Sequence, residues 1–441
     1  MLNHEQAVNK LDQINACIHC GMCLSYCPTY LESGNEGNSP RGRLYLIRDM
    51  ILDQEVHTDA DQLIADTSDS FKNSAPTNIK DYVATSYETK EYLDNCLSCY
   101  ACMTACPSGV EYNSLLDYAR NQQSASNLIS DNFNSLRRLI FKYILNDRNL
   151  LRLGRLGLKL NSILYKTFPW LPKFNKLQSN QVNSYEKIKT GFLYKTTVDN
   201  VEGYKPDLKK QLTLNLGCVM DTLYNPVHHH TIQVLNLAGY DVWVADTNCC
   251  GALASHSGAA DIGAQQFTEF AAKLSVNDNT CVFNSAGCAS FCKEHDLKNE
   301  IKDFAELLNP NNWQAPVPFD TFKENFRKNM KLDAVYQPAC HLYHAQGLKN
   351  EYQNLLKAVF PKLNLISFYE DYVCCGSAGF YNLIKTEFAE KIGRRKTDNI
   401  KNTPARTVIA ANPGCLSQLE AHLGKDYQTI HPISLLIENL N

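Results

Sequence analysis

A chain of 441 residues, 44% apolar and 20% charged, has material for several packed cores and does not read as a disordered protein. Its formal net charge of −3 gives no global electrostatic reason to bind nucleic acid. Its eighteen cysteines could suggest a disulfide framework, but that reading suits short secreted chains. Met1 to Ile14 mix polar and charged residues, and no apolar core of about 7–15 residues follows, so no export signal is expected. Nor is there a run of about 18 apolar residues to cross a bilayer. The cysteines sit in close clusters, which predicts thiols kept reduced in the cytoplasm for metal.

Residues 1–132 carry the first eight cysteines in two runs of identical spacing. Cys17-x-x-Cys20-x-x-Cys23-x-x-x-Cys27 is followed by Pro28, and Cys96-x-x-Cys99-x-x-Cys102-x-x-x-Cys106 by Pro107. Soft thiolates suit iron–sulfur clusters, and three at this interval can wrap one cluster from a tight loop. In two-cluster proteins of this spacing the fourth cysteine ligates the other cluster, so the runs pair crosswise. Cys17, Cys20, Cys23 and Cys106 would hold one 4Fe–4S cluster, and Cys96, Cys99, Cys102 and Cys27 the other. Zinc is the competing reading, but two CxxC pairs would satisfy it and leave the third evenly spaced cysteine without purpose. His19, between ligands, is expected to face solvent.

Residues 133–210 change character. Ten basic residues between Arg137 and Lys176 face a single acid, Asp147, with Leu and Ile at helical spacing. Basic amphipathic helices are expected over 133–176, resting on an anionic membrane surface or on a partner subunit. An Asn- and Lys-rich linker over 177–210 should follow.

From residue 211 the chain repeats itself. Strands Leu212–Leu216, Val242–Ala245 and Cys281–Asn284 lead to Cys218, Cys249-Cys250-Gly251 and Cys288. A second set, Ala334–Tyr336, Leu363–Phe368 and Val408–Ala411, leads to Cys340, Cys374-Cys375-Gly376 and Cys415. Corresponding cysteines are offset by 122, 125 and 127 residues. Short apolar strands alternating with helices predict two small α/β units, 211–325 and 330–441, with parallel strands and cysteines at their C-terminal ends. His228-His229-His230, after Pro226, reads as a surface run, since adjacent helical residues do not converge on one site. Cys281 reads as core. No GxGxxG follows a strand and no GxxxxGK[ST] occurs, so flavin, nicotinamide and nucleotide chemistry belongs to another chain.

These residues resemble a known family, the iron–sulfur subunit of bacterial glycolate oxidase. The likeness rests on Cys17–Cys23 ending Cys27-Pro28-Thr29-Tyr30, on Pro40-Arg41-Gly42-Arg43-Leu44, on Leu93-Asp94-x-Cys96 and on Cys106-Pro107-Ser108-Gly109-Val110-x-Tyr112. It continues through Cys340 with His344-Ala345-Gln346 and through Cys374–Gly379, and it is weakest over 133–210. The resemblance implies an α+β architecture: a helical two-cluster ferredoxin-type domain followed by two duplicated cysteine-rich (CCG) domains. It further implies an electron relay from FAD-binding dehydrogenase subunits, which oxidise glycolate to glyoxylate, towards a membrane quinone or other acceptor. The place would be the cytoplasm, at the inner face of the cell membrane if the basic stretch rests there.

Related subunits serve D-lactate and anaerobic glycerol-3-phosphate oxidation or heterodisulfide reduction, where such domains hold further clusters on five cysteines. Here Gln418 replaces the last ligand of the second copy, and Cys292 lies four residues after Cys288 instead of three. Whether Cys218, Cys249, Cys250 and Cys288, or Cys340, Cys374, Cys375 and Cys415, hold metal or are buried thiols stays open. A self-contained reductase working at such a centre and a non-catalytic metal-binding scaffold are the alternatives to the relay.

Overall fold

The computed structural model describes residues 4–55, 86–125, 137–151, 153–154, 186–198, 202–204 and 211–441. The N-terminal part is helical: α1 (His4–Asn15), α2 (Pro28–Ser33), α3 (Pro40–Glu55), α4 (Ser86–Asp94), α5 (Ala101–Ala105) and α6 (Tyr112–Ala125). Leu11 and Ile14 of α1, Leu44, Ile47 and Ile51 of α3, Leu93 of α4, and Leu115, Leu116 and Ala119 of α6 close one small core. Their spacing of three, four or seven residues puts each set on one helical face. The core stacks the helices so that the two cysteine loops between them face each other.

Gly42 explains the Pro40–Arg43 motif. A Cβ there would stand 1.9 Å from the Glu36 carbonyl oxygen, so only glycine lets α3 pass the preceding turn. That close passage brings the next residue, Arg43, fully inside.

The C-terminal part holds two sheets. The first comprises β1 (Phe192–Tyr194), β2 (Gln211–Asn215), β3 (Asp241–Val244), β4 (Thr280–Phe283) and β5 (Ile301–Asp303) in the order β1-β3-β2-β4-β5. All its pairings are parallel except β1 on β3. The second, with β6 (Leu332–Gln337), β7 (Leu363–Leu365), β8 (Thr407–Ala410) and β9 (Gln428–Ile430), runs parallel throughout in the order β7-β6-β8-β9. The central strands are buried on both faces, as parallel sheets require.

The six strands expected from the repeat are all present. β7 is shorter than expected and ends at Leu365, because the chain leaves the sheet for the loop that carries Cys374 and Cys375. β1 lies within the stretch expected to be a linker, as an antiparallel edge strand on β3. Three-residue strands such as β1, β5 and β9 are too short to announce themselves by alternation.

Helices on the sheets include α7 (Cys218–Leu223), α8 (Pro226–Leu237), α9 (Ala260–Leu274), α10 (Ala286–Lys293), α11 (Glu351–Val359), α12 (Tyr381–Ile384), α13 (Thr386–Lys401), α14 (Pro413–Leu423) and α15 (Pro432–Ile437). One continuous core joins both sheets, from Leu212 and Val242 to Val335 and Val408. The α8 histidines correct a sequence expectation, because they do not form a surface run. His228 is fully buried and accepts from the Asn284 amide at 2.9 Å, while His230 meets Ser434 of α15 at 2.9 Å. His431 completes the group by bonding the Asn284 carbonyl at 3.1 Å. These residues tie the two repeats together, and burial holds His228 and His431 neutral, with pKa values lowered to about 3.

Of the basic stretch, residues 137–151 are described, and 155–176 lie outside the described residues together with much of 177–210. A helical start gives way to a π-helical turn, Ile140–Ile144. Phe141 and Leu145 bury against Ala254, Ala259 and Ile262. Arg138 is paired with Asp261, and Arg148 lies 3.5 Å from Asp246, so part of the basic charge is spent within the chain. Among the described residues no helix is long and apolar enough to cross a membrane.

Candidate metal centre

The two N-terminal cysteine loops share one backbone. In the first, His19 and Gly21 take left-handed φ values of 56° and 78°; in the second, Ser98 and Tyr100 take 50° and 60°. These are the second and fourth residues after the first cysteine in each run. Alternating left-handed residues curl each loop tightly around its thiols, and three non-glycine residues carry the associated strain of about 1–3 kcal/mol each. Local strain of this kind persists where surrounding structure over-determines it. Pro28 opens α2 with Cys27 as its N-cap, so the proline starts a helix in addition to ending the turn.

Cys27, Cys96, Cys99 and Cys102 line a single cavity with Thr29, Arg43 and Tyr112. Cys27 comes from the other run. On the other side, Cys17 has Cys106 and Cys20 as electrostatic neighbours, and Cys23 has Cys17. Burial, reinforced by the crowded thiols, pushes Cys17 up, Cys23 to about 11 and Cys102 well above the ordinary thiol value. Such groups ionise readily only when metal takes the charge. Among the described residues no three Cys, His, Asp or Glu side chains are grouped for a single metal ion. A set of four thiols bordering a cavity instead fits a cube of irons and sulfides.

Polar groups around this cavity fit the same chemistry. Arg43 donates from Nε to the Tyr92 carbonyl at 2.7 Å, from one terminal nitrogen to Thr29 Oγ1 at 3.0 Å, and points the other at Cys27 Sγ, 3.9 Å away. Among the described residues no carboxylate pairs with it. Burial opposes its charge, and the neighbouring sulfurs of Cys96 and Cys27 favour it. Tyr112 donates its hydroxyl to Cys96 Sγ at 3.7 Å. The two sets differ in access: Cys20, Ile18 and Met22 are exposed, whereas Cys99 and Cys27 are buried. His19 is exposed as expected, stacking on Tyr45 with Nδ1 3.8 Å from Cys17 Sγ.

The repeat cysteines also converge. Cys218 Sγ lies 3.5 Å from Cys249 Sγ, and Cys250 contacts both Cys249 and Cys288. In the second copy Cys374 contacts Cys340 and Cys375, and Cys375 contacts Cys415. The glycine of each Cys-Cys-Gly has a left-handed φ, 89° at Gly251 and 86° at Gly376, with backbone oxygens of α9 and α13 closing on the Cβ position. Cys281 and Cys292 are buried in the core of the first copy. Nothing in the sequence announces that Cys99 of the second N-terminal run touches Cys374. Arg395 of α13 secures this junction, with Glu370 at 2.6 Å and Glu32 of α2 at 3.4 Å. His344 meets Thr104 at 2.9 Å across the same seam.

A family model of the 4Fe-4S dicluster domain matches residues 13–110, and one of the cysteine-rich domain matches twice, at 212–293 and 334–420. The chain is therefore an iron–sulfur protein of the electron-transfer kind, joining a dicluster domain to paired cysteine-rich domains within the oxidoreductases. It resembles the iron–sulfur subunits of glycolate oxidase. It is 28% identical to the probable glycolate oxidase iron-sulfur subunit of Bacillus subtilis, over 96% of this chain and 93% of that protein. The glycolate oxidase iron-sulfur subunit of Escherichia coli is 26% identical over 95% and 93%. Lactate utilization protein A of Oceanobacillus iheyensis is 23% identical over 51% of this chain and 96% of its own length.

Proposed function

We infer that this chain holds two 4Fe–4S clusters, one on Cys17, Cys20, Cys23 and Cys106 and the other on Cys27, Cys96, Cys99 and Cys102. It passes electrons from FAD-binding subunits that oxidise glycolate to glyoxylate towards a quinone-type acceptor. Residues 1–132 are the relay, 133–210 the basic connection, and 211–325 and 330–441 the cysteine-rich pair. The observation that carries this reading is the cavity bordered by three thiols of one run and the fourth of the other. Glycolate is favoured over lactate because the glycolate oxidase subunits match nearly the whole chain, the lactate utilization protein only half. Exposure of Cys20 suits the first set to receive electrons from a partner.

Chain purified anaerobically is expected to contain about eight irons and eight acid-labile sulfides. Its dithionite-reducible signals should also appear when glycolate is added to the assembled complex. Stoichiometric zinc without sulfide would defeat the cluster assignment, and reduction by D-lactate but not glycolate would move the chain to the lactate group.

The cytoplasmic chain touches the membrane peripherally through the surface of residues 139–153. Leu139, Tyr143, Ile144, Leu150 and Leu153 are exposed there, beside exposed Lys142. Co-flotation with anionic vesicles should fall several-fold when Tyr143 and Ile144 are replaced by serine, and weaken with salt. Flotation unaffected by these changes, or absent for the unaltered chain, would assign the surface to a partner subunit.

A further inference from the structure

A second cavity lies where the three parts of the chain meet. Its volume is about 100 Å³, partly open to solvent, and it is bordered by the Cys96–Ser98 loop, Leu253 and His256 of the first repeat, and His341, Phe380, Tyr381, Ile384 and Lys385 of the second. Nothing in the relay reading uses it.

Its chemistry is mixed in a specific way. Leu97, Leu253, Phe380 and Ile384 supply apolar wall. Two polar atoms on lining residues, the Tyr381 hydroxyl and His341 Nε2, are buried without a hydrogen-bond partner among the described residues. Each such orphan is costly unless a ligand or water satisfies it. Arg120 also lines the cavity, but its terminal nitrogens already donate to Ser98 Oγ, the His256 carbonyl, and the Leu93 and Cys96 carbonyls. No open guanidinium fork is left on Arg120 to clamp a carboxylate. No glycine-rich cradle lines it for a nucleotide phosphate.

What fits is a flat apolar ring bearing oxygen atoms that meet Tyr381 and His341. The surroundings say how it would arrive. Arg137 lines the cavity and opens the 137–153 segment, whose Leu139, Tyr143 and Ile144 are exposed, and Leu383, between lining residues Tyr381 and Ile384, is 57% exposed. Leu253 and Phe380 belong both to the cavity wall and to the core that seats this segment. Apolar surface beside the cavity is suited to a lipid-borne ligand.

We propose that this cavity binds a lipid-borne quinone, the terminal acceptor of the chain, with its ring oxygens on Tyr381 and His341 and its ring against Leu253, Phe380 and Ile384. The inference rests on the relay reading and deepens it by naming the acceptor's site. One quinone takes two electrons, delivered singly by way of the Cys96 loop from the oxidised hydroxy acid, and two protons from water; both ring carbonyls become hydroxyls.

The test uses the cluster-loaded full chain and decylubiquinone, a short-tailed quinone with every ring position substituted and therefore unreactive towards the many thiols. Titration calorimetry in mild detergent should show saturable binding. Tyr381→Phe should raise the Kd about tenfold, the loss of one hydrogen bond to a buried partner. Ile384→Trp, which fills the wall, should raise it further, with the dithionite-reducible spectra of both variants intact. No saturable binding by the unaltered chain, or unchanged binding in both variants, overturns the proposal. If Ile384→Trp loses its spectra, Tyr381→Phe decides alone, and an unchanged Kd counts against the site. A chain without reducible clusters would sink the relay reading, whereas intact clusters with quinone binding indifferent to the cavity would sink this inference alone.

Discussion

Replacing Cys27 by serine is expected to remove the cluster bordered by Cys96, Cys99 and Cys102 and to spare the one beside Cys27 in sequence. Iron should fall from about eight to about four atoms per chain. The reason is positional. Cys27 is buried at the start of α2, its sulfur 3.3 Å from Thr29 Oγ1 and 3.4 Å from the Asn38 carbonyl, facing the second loop's cavity. A serine oxygen is a harder and shorter ligand, and the rigid helix start gives it little freedom to follow the metal. Cys106→Ser is the mirror experiment and should cost the exposed cluster instead. Resolved EPR signals of the reduced variants distinguish the two losses. If Cys27→Ser emptied the Cys17–Cys23 cluster, each run would be closing its own cluster.

The expectation shows how much could be read in advance and why the rest could not. The evenly spaced cysteines made two thiol loops legible in advance, and Cys27 of the first loop lines one cavity with Cys96, Cys99 and Cys102 of the second. The duplication was equally plain, because parallel strands buried on both faces leave continuous apolar runs before each cysteine. Contacts between parts distant in sequence were not legible. Nothing in the sequence announces that Cys99 meets Cys374, or that His228 meets Asn284 and lies close to His431, since such contacts depend on how finished units pack. The basic stretch misled in a similar way. Its charges suggested basic helices facing a membrane or a partner, yet Arg138 and Arg148 turn towards Asp261 and Asp246 within the chain. Composition counts charges but does not say which have partners.

Arg43→Met should lower the reduction potential of the cluster on Cys27, Cys96, Cys99 and Cys102 while leaving the other nearly unchanged. Arg43 is fully buried, with Cys27 Sγ 3.9 Å from its guanidinium and the Cys96 thiol acting on its charge. Reduction adds negative charge to the cluster, so a fixed cation beside it favours the reduced form, and removing the cation makes reduction harder. At an effective dielectric of about 20, a unit charge about 6 Å away contributes roughly 3 kcal/mol. For a one-electron couple that corresponds to a shift on the order of 100 mV towards more negative values. Arg43 also holds the Tyr92 carbonyl and Thr29, so methionine could loosen the helices, and Arg43→Lys separates charge from scaffold. Lysine keeps the charge and loses the planar fork. Its potential should stay near that of the unaltered chain even if its stability drops. Redox titration followed by EPR reads both effects in one series. A potential that is unmoved in Arg43→Met, or moves upward, would mean that the buried cation is balanced elsewhere and that the cluster does not sense it.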